Sequence, residues 1–344
     1  MKMRAVVKTA PKIGVTIEEV DVPSPGDTEV LVRVKVSTIC GTDLHIYQWD
    51  SSIQHRIKLP RIIGHEMSGE VVEVGKKVRA IKPGDFISAE THFFCGTCFQ
   101  CRNGQPHLCQ YLRILGVDTE GSFAEYVLIS EKNAWKNSPT LSPEWASLQE
   151  PMGNAVYATL EESVENKTVA VFGGGPIGLM SCAVAKASRA KKVFLSEPND
   201  FRRNLGVQMG ADVVLNPLKE NIVQRILEET NGIGVDVSLE MSGHPQAFLQ
   251  AFQSVRSGGR VSLLGLPAQP IPLNWNEEVI LKGVTIYGIH GRKIWQTWHQ
   301  VQELLESGKV NLDPLISARF PLEKAPEALE MMSHQQVAKI ALIP

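Results

Sequence analysis

The residues Thr168-Val169-Ala170-Val171-Phe172-Gly173-Gly174-Gly175-Pro176-Ile177-Gly178 decide the fold class of this chain of 344 residues. The first five form an apolar run that predicts a buried strand, and the small and aliphatic residues after Pro176 predict a helix. Between them, Gly173, Gly175 and Gly178 have the Gly-x-Gly-x-x-Gly spacing. Such glycines allow a tight turn and the approach of a pyrophosphate, and the helix N-terminus attracts phosphate. The stretch therefore predicts a dinucleotide-binding unit.

Outward from this stretch, strands alternate with helices between residues 168 and 287. This order predicts a parallel sheet with helices on both faces. Residues 1 to about 150 consist instead of short strands and turns, as in the alternating segment Val30–Val36. The character of the chain changes after Pro151, and a helix is predicted from Asn154 to Glu162. The alternation of strands and helices stops at Arg292, and a final strand at 338–343 is expected to return to the first domain. We therefore expect an α/β plus mostly β protein with parts 1–153, 154–290 and 291–344.

The bulk composition excludes several classes of protein. Apolar residues make up 43% of the chain and charged residues 21%, which is typical of a folded globular protein. A formal net charge of −2 gives no electrostatic reason to expect nucleic acid or an anionic membrane as partner. Residues 1–8 contain no sustained apolar stretch, and no later run is long enough to cross a bilayer. We therefore expect a cytoplasmic location.

Glu197 indicates which dinucleotide binds. It lies 19 residues beyond Gly178, at the end of the next predicted strand. A carboxylate there accepts hydrogen bonds from a ribose 2′-hydroxyl and repels a 2′-phosphate, which favours NAD over NADP. Arg202 and Arg203 follow and offer positive charge to a phosphate, but Glu197 holds the strand-end position. NAD is therefore the predicted cofactor.

Four of the six cysteines, Cys95, Cys98, Cys101 and Cys109, fall within fifteen residues. Clustered cysteines in a cytoplasmic protein more often hold a metal than form disulfides. Four thiolates can surround one tetrahedral zinc and leave no open position, as in structural sites. The last gap of seven residues differs from the short gap of ferredoxin iron–sulfur motifs. A structural zinc in the lobe 92–112 is predicted.

A second set of metal-compatible side chains lies between residues 40 and 66. Cys40, His65 and Glu66 are residue types that zinc accepts, and catalytic zinc sites keep three protein ligands and one open position. Thr42 and His45 offer the hydroxyl and imidazole of a proton relay. Adjacent side chains on a strand point to opposite faces, so His65 and Glu66 reach one ion only if the backbone turns at Gly64.

These residues resemble the zinc-dependent medium-chain alcohol dehydrogenase family over the whole chain. The likeness rests on Gly64-His65-Glu66-x2-Gly69-x5-Gly75-x2-Val78, on the four-cysteine lobe and on the glycine loop. Three further stretches are more specific: Cys40–Asp50, Glu150–Val156 and Gly288–Arg292. The resemblance implies a GroES-like catalytic domain, a Rossmann-fold NAD-binding domain, two zinc ions per subunit and a homotetramer. It also implies oxidation of the 3-hydroxyl of L-threonine, a small-molecule substrate, with reduction of NAD+.

The same resemblance implies roles for individual residues. Cys40, His65 and Glu66 belong to the catalytic zinc site, Thr42 with His45 forms the relay, and Glu150 ligates the metal or assists proton transfer. The implied nucleotide contacts, beyond the loop glycines, are Ile177, Glu197, Arg202, Leu264, Gly265, Leu266, Ile289 and His290. Whether Glu66 or Glu150 is the third zinc ligand stays open. As hypotheses, Arg292 pairs with the substrate carboxylate because a guanidinium offers a bidentate fork, and His92 lines the pocket.

Three alternatives remain at this point. One is a related zinc- and NAD-dependent dehydrogenase of a polyol or of 2,3-butanediol. Another is a quinone-oxidoreductase-like protein without catalytic metal, which Cys40 and His65 disfavour. The third is a noncatalytic protein that binds nucleotide or zinc.

Overall fold

The computed structural model describes residues 1–334 and 336–344. The chain divides into two compact units: unit 1 contains Met1–Glu150 and Ile316–Pro344, and unit 2 contains Pro151–Leu315. The domain boundaries expected at residues 153 and 290 stay predictions. Within these described ranges, the helices are too short or too polar to pass through a lipid bilayer.

The N-terminal part of unit 1 is built mainly from short strands. They are β1 Lys2–Lys8, β2 Thr16–Asp21, β3 Glu29–Thr38, β4 Arg61–Ile62, β5 Glu66–Val74, β6 Phe86–Ala89, β7 His92–Phe93, β8 Arg113–Ile114, β9 Tyr126–Ser130 and β10 Ala134–Lys136. The α-helices that begin in this part are α1 Gly41–Gln48, α2 Phe99–Arg102 and α3 Pro143–Leu160. Short 3₁₀ turns lie at Pro106–Leu108 and Glu131–Asn133.

Unit 2 alternates strands and helices, as expected. Its strands are β11 Thr168–Phe172, β12 Lys192–Ser196, β13 Val213–Leu215, β14 Val235–Glu240, β15 Val255–Leu263 and β16 Thr285–Gly288. Its helices are α4 Pro176–Ala187, α5 Asp200–Gln208, α6 Ile222–Glu229, α7 Pro245–Ser254 and α8 Gln296–Glu306, with a π turn at Asn276–Ile280 and a 3₁₀ turn at Asp313–Leu315. The chain then returns to unit 1 with β17 Ile316–Pro321, a 3₁₀ turn at Leu322–Lys324, α9 Ala325–Ser333 and β18 Lys339–Ile343.

The sheet of unit 2 has the strand order β13-β12-β11-β14-β15-β16, and the strand pairs are parallel. Counted within the unit, this order is 3-2-1-4-5-6, the doubly wound arrangement that binds dinucleotides where the strand order reverses. Apolar side chains such as Phe172, Phe194 and Val261 fill its core. The predicted Rossmann-like parallel sheet is therefore confirmed.

The main sheet of unit 1 has the order β10-β6-β5-β3-β18-β17, and β9 also pairs with β3. The strand β18 lies between β3 and the edge strand β17, so the last strand in the chain is an interior strand of the sheet. A smaller sheet, β2-β1-β4, and the hairpin β7-β8 complete the unit. Alternating side chains of β3 pack into a core with Met67, Val71 and Ile87.

The helix α3 differs from the prediction. A helix was expected from Asn154 after the break at Pro151, but α3 begins at Pro143 and contains Pro151. Proline in a helix interior removes a hydrogen bond and costs about 3 kcal/mol. The fully buried residues Ala146, Leu148 and Ala155 on either side of it stabilise the helix through packing. Tertiary contacts therefore override the local propensity.

Lys8, the last residue of β1, is fully buried. Its Nζ donates to the carbonyl oxygens of Lys12 at 2.5 Å and of Gly14 and Tyr47 at 3.0 Å. The same ammonium lies 5.4 Å from the centre of the Trp49 ring, and burial lowers its pKa to about 8. Through these hydrogen bonds, Lys8 connects the loop after β1 with the C-terminal end of α1.

Candidate metal centres and nucleotide site

Cys40 stands directly before α1 and caps the N-terminus of that helix with extended backbone. Its N–H donates to Oδ2 of Asp43 at 2.9 Å. Asp43 is fully buried, and its other oxygen, Oδ1, lies 3.5 Å from Nδ1 of His65. One carboxylate therefore orients two predicted zinc ligands, as carboxylates do behind metal-bound histidines. Asp43 was not predicted from the sequence, although a carboxylate three residues after a helix cap is a recognisable local signal.

Gly64 provides the backbone turn that lets its two neighbours face one point. Its φ is +91°, and a Cβ at this position would lie 2.1 Å from the Phe123 ring, so only glycine fits. Beyond it, the ligand atoms of Cys40, His65 and Glu66 all lie within 4.8 Å of one another. A thiolate, an imidazole and a carboxylate at this spacing form a donor set that fits zinc.

The surroundings of His65 favour positive charge. The side chain is buried, which favours the neutral ring, but the negative charges of Asp43 and the Cys40 thiolate outweigh this effect. Together they raise the pKa of His65 well above its usual value. The pocket therefore attracts a cation.

Glu66 is fully buried and held by two neighbours that lie far away in the sequence. Its carboxylate oxygens accept from Nζ of Lys339 at 2.5 and 2.6 Å, and Oε2 also accepts from the Thr38 hydroxyl at 2.5 Å. Burial lowers the pKa of Lys339, but the negative charges of Glu66 and Cys40 prevail and raise it. Lys339 is 273 residues from Glu66, and no local signal in the sequence indicates this pairing.

Glu150, in α3, is the second carboxylate of this region. It is 6% exposed, and its Oε1 accepts from the Thr91 hydroxyl at 2.8 Å. Among the described residues, Glu150 lies outside the group of ligand atoms that converge around Cys40. Its negative charge nevertheless contributes to the raised pKa of Lys339. Glu66 thus lies at the convergence point, and Glu150 lies within electrostatic range of Lys339.

The predicted relay residues Thr42 and His45 both lie on α1. Oγ1 of Thr42 is 3.9 Å from Sγ of Cys40, so the hydroxyl adjoins the metal ligands. Residues three apart share a helix face, which places His45 on the side of Thr42. The His45 side chain is 55% exposed, and its Nδ1 shares a hydrogen bond with Asp50. The Thr42 hydroxyl therefore lies beside the metal ligands, and the His45 ring is open to solvent.

His92, a predicted substrate contact, is buried and held through its backbone. Its N–H donates to Oε1 of Glu90 at 2.8 Å, and Nδ2 of Asn133 donates to its carbonyl at 2.9 Å. The Glu90 carboxylate also lies 4.0 Å from the imidazole Nδ1. Glu90 and Asn133 were not identified from the sequence.

The four cysteines of the lobe converge on one point. Sγ of Cys95 is 3.9 Å from Sγ of Cys101, and Sγ of Cys98 is 3.8 Å from Sγ of Cys109. A tetrahedron with metal–sulfur bonds of about 2.3 Å has sulfur–sulfur edges of about 3.8 Å, so the geometry fits zinc. Hydrogen bonds from Thr97 and from the N–H of Cys98 lower the pKa of Cys95 to about 5, whereas burial raises the pKa of Cys101 to about 12. A thiolate is therefore favoured at Cys95 before any metal binds.

The glycine loop has the geometry that a pyrophosphate requires. Gly173 has φ of +105°, and a Cβ on Gly178 would lie 1.9 Å from the Gly173 carbonyl. A Cβ on Gly175, directly before α4, would have no neighbour within 4 Å, so the space for a ligand is open there. Glu197, 4% exposed, accepts from the Gly174 N–H at 2.6 Å. The acidic residue therefore lies against the loop.

The other predicted nucleotide contacts lie on unit 2. Nε of Arg202 is buried and has no hydrogen-bond partner among residues 1–334 and 336–344, which suits a ligand-binding group. Leu266 is 92% exposed, and Ile289 is buried beside β15, where its N–H donates to the Leu263 carbonyl. The remaining members of the set have intermediate or exposed side chains or are glycines: Ile177, Leu264, Gly265 and His290.

Arg292, the second predicted substrate contact, is 1% exposed. A Cβ on Gly153 would lie 2.8 Å from its Cδ, so its aliphatic part packs closely against this part of α3. Its guanidinium lies 3.5 Å from Oδ1 of Asn154. The contact with a substrate carboxylate stays a prediction.

Comparisons with known proteins agree with these features. The family described as alcohol dehydrogenase GroES-like domain matches residues 26–139, and the family described as zinc-binding dehydrogenase matches residues 176–307. The L-threonine 3-dehydrogenase of Pyrococcus abyssi is 50% identical over 343 residues, covering 99% of each chain. A zinc-binding dehydrogenase of Sinorhizobium meliloti, solved with NADP, is 29% identical with a TM-score of 0.93 and complete coverage of both chains. The 2R,3R-butanediol dehydrogenase of Bacillus subtilis is 29% identical with a TM-score of 0.90 and 99% coverage of both chains.

Proposed function

Because the chain belongs to the zinc-binding dehydrogenases with a GroES-like domain, we propose that it oxidises L-threonine to L-2-amino-3-oxobutanoate and reduces NAD+ to NADH. The observation that carries the substrate is the identity of 50% over 99% of the L-threonine 3-dehydrogenase of Pyrococcus abyssi. The convergence of Cys40, His65 and Glu66 supports a catalytic metal, which disfavours a metal-free oxidoreductase.

Cys40, His65 and Glu66 would hold the catalytic zinc. When bound, zinc supplies a Lewis acid for the substrate hydroxyl, and NAD+ supplies the hydride acceptor. We assign Glu66 as the third ligand because its carboxylate lies with the other two ligand atoms. Lys339 then balances the charge of Glu66 and competes with the metal for it. Glu150, the other carboxylate of this region, is proposed to assist proton transfer. Zinc analysis of Glu66→Gln and Glu150→Gln tests this assignment, because we expect only Glu66→Gln to lose catalytic zinc.

The proton of the substrate hydroxyl leaves along α1. The Thr42 hydroxyl accepts it and passes its own proton to His45, whose exposed ring releases it to solvent. His92 is proposed to line the substrate site and Arg292 to pair with the substrate carboxylate. Neither role is required for the proton path.

Unit 2 is proposed to bind the nucleotide. The glycine loop at the start of α4 takes the pyrophosphate, and Glu197 takes the adenosine ribose through its carboxylate. Glu197→Ser should raise kcat/KM with NADP relative to NAD by about tenfold or more, since one carboxylate no longer repels the 2′-phosphate. An unchanged ratio would place the selectivity elsewhere.

Cys95, Cys98, Cys101 and Cys109 are proposed to hold a second, structural zinc. Their sulfur–sulfur distances of 3.8 and 3.9 Å support a closed tetrahedral site with no room for substrate. We therefore expect two zinc ions per chain.

The chain is proposed to form a homotetramer. The family resemblance provides the number of subunits, and exposed apolar side chains on unit 2, including Trp275, Ile280 and Leu281, support self-association. Light scattering behind size-exclusion chromatography measures the mass directly. A mass equal to that of one chain would contradict the proposal.

The experiment that tests the function is a screen for NADH formation. L-threonine, its stereoisomers, sorbitol and 2,3-butanediol are compared with NAD and NADP in parallel, and L-threonine with NAD should give the highest kcat/KM. The variant His65→Gln should have a kcat at least a hundredfold below that of the wild type. The matched variant His55→Gln, at an exposed position, should have the kcat of the wild type. Preference for 2,3-butanediol or sorbitol would reject the substrate and keep the enzyme class. No NADH from any alcohol would reject the activity.

A further inference from the structure

The chain folds back on itself directly after α1. Trp49 has φ of +57°, in the left-handed region, and the N–H of Asp50 then donates to the carbonyl of His45 at 3.3 Å. This turn brings the side chain of Asp50 over the imidazole five residues earlier. The hydrogen bond joins Nδ1 of His45 to Oδ2 of Asp50.

The other oxygen of Asp50 is also fixed. Oδ1 accepts from the Ser52 N–H at 2.9 Å and from the Ser52 hydroxyl at 2.5 Å. Burial raises the pKa of Asp50, but the hydrogen bonds from Ser52 and His45 outweigh it, so the net shift is downward. The carboxylate is therefore ionised at neutral pH and acts only as an acceptor.

An acceptor at Nδ1 determines the state of the ring. Because Asp50 offers no proton, Nδ1 of His45 must carry the hydrogen of their bond. In the neutral ring the lone pair then lies on Nε2, which is the form that can accept a proton from a neighbouring hydroxyl. The opposite tautomer would present an N–H to Thr42 and would block transfer.

We propose that Asp50 is a positioning residue that fixes the His45 tautomer and ring orientation in which Nε2 accepts the proton from Thr42. The proposal deepens the proposed function and rests on it, since it assigns the group behind the relay. Asp50 acts through His45 and has no assigned contact with substrate or metal.

Further contacts hold this turn in place. Nε2 of Gln54 donates to the Trp49 carbonyl at 2.6 Å, and Lys8 binds the Tyr47 carbonyl and lies against the Trp49 ring. Among residues 1–334 and 336–344, the charged group in ion-pair contact with His45 is Asp50. The charged group that contacts the end of α1, at the Tyr47 carbonyl, is Lys8. The geometry is thus supported from two sides and does not depend on a single bond.

The test compares Asp50→Ala, Asp50→Asn, Asp50→Glu and Ser52→Ala with the matched control Asp21→Asn. Asp21 has a side chain that is 81% exposed on β2, so the same chemical change there should have no effect. For Asp50→Ala we expect kcat to fall about tenfold, a part of the hundredfold or more that general base catalysis contributes. The KM values for L-threonine and NAD+ and the zinc content should stay within twofold. Asp50→Glu should recover part of the loss, and Ser52→Ala should lose less than Asp50→Ala.

Three further readouts separate positioning from a merely structural role. The acid limb of the profile of kcat/KM against pH should move to lower pH in Asp50→Asn, because a negative charge that favours the protonated ring is gone. Added formate should restore part of the activity of Asp50→Ala by supplying a carboxylate. Nitrogen NMR of protein with ¹⁵N-labelled histidine rings should show hydrogen on Nδ1 of His45 in the wild type and a mixture of tautomers in Asp50→Ala. The His45→Gln variant assigns the signal.

Unchanged kcat and pH profile in Asp50→Ala and Asp50→Asn, or an unchanged tautomer in Asp50→Ala, would overturn the proposal. The proposal would also be overturned if Asp50→Ala showed a higher KM and a loss of zinc along with its lower kcat, and if formate restored no activity. That pattern would indicate a structural role. If the wild type gives no NADH with L-threonine, the proposed function fails instead, and the NMR measurement still decides whether Asp50 fixes the ring.

Discussion

Lys339→Met tests the buried ion pair that faces the candidate catalytic metal. The side chains of Lys339 and Glu66 are 3% and 0% exposed, and the ammonium contacts both carboxylate oxygens. Methionine has similar length and no charge, so packing is largely kept while the carboxylate retains only the Thr38 hydroxyl. Removal of one partner from a buried pair costs about 3–5 kcal/mol. At roughly 2–4 °C per kcal/mol for a unit of this size, Tm should fall by about 6–20 °C.

The assay is calorimetric unfolding of the zinc-depleted protein at neutral pH. The matched control is Lys77→Met, because Lys77 pairs with Asp27 at the surface with 68% and 53% exposure. An exposed pair of this kind contributes about 0–1 kcal/mol, so the control should melt close to the wild type. With excess zinc, the positive charge of the metal compensates Glu66, and the gap between Lys339→Met and the wild type should narrow. If the zinc-depleted variant melts within about 2 °C of the wild type, or if zinc leaves the gap unchanged, the reasoning on Glu66 is wrong.

Three further predictions concern other parts of the chain. Gly64→Ala should abolish zinc binding at the site of Cys40, His65 and Glu66, because the new Cβ would lie 2.1 Å from the Phe123 ring. The control Gly84→Ala, where φ is +88° and the space is open, should lower the free energy of unfolding by only about 1–3 kcal/mol. Equal shifts of Tm in the two variants would refute this prediction. Cys101→Ser should reduce the zinc content measured by mass spectrometry from two ions per chain to one, and a content that stays at two would contradict a separate four-cysteine site. Burial raises the pKa of Asp236, but hydrogen bonds from Thr168 and Arg256 outweigh this effect and lower the pKa below the usual 3.8. The ionised carboxylate therefore stabilises the fold above pH 3.8, and this stabilisation is lost as the pH falls through the pKa of Asp236 in the folded protein. Asp236→Asn should therefore destabilise unit 2 by roughly 1–2 kcal/mol at neutral pH and have no effect in strong acid, as measured by urea unfolding; an equal loss at both would exclude the carboxylate.

The sequence predicted the parts of the molecule that rest on local patterns. The strand before Gly173, the glycine spacing and the alternation of strands and helices gave the parallel sheet of unit 2, because periodicity and turn chemistry act over a few residues. The four cysteines were predicted as one cluster for the same reason. The turn at Gly64 was stated as a condition for His65 and Glu66 to converge, and the structure contains that turn.

The parts that sequence reasoning missed depend on contacts between distant residues. Lys339 and Thr38 reach Glu66 across 273 and 28 residues, and Thr91 reaches Glu150 across 59. No periodicity marks such pairs. The start of α3 was wrong for a related reason, since burial on both sides of Pro151 overrides the break that proline predicts. Asp43 and Asp50 are different cases, because both lie within five residues of a partner and a search for carboxylates near Cys40 and His45 would have found them.

The interior position of β18 in the sheet has a consequence for how the protein folds during its synthesis. The strand β3 needs β18 as its neighbour, yet all of unit 2 lies between them in the sequence. On the ribosome, N-terminal domains generally fold first, but here β18 can join the main sheet of unit 1 only after residues 339–343 have emerged. Until then Glu66 has no ammonium beside it, and Ser37 and Thr38 at the end of β3 lack their strand partners Leu342 and Ala341. The buried ion pair behind the candidate metal centre therefore forms only when the last residues of the chain have been synthesised.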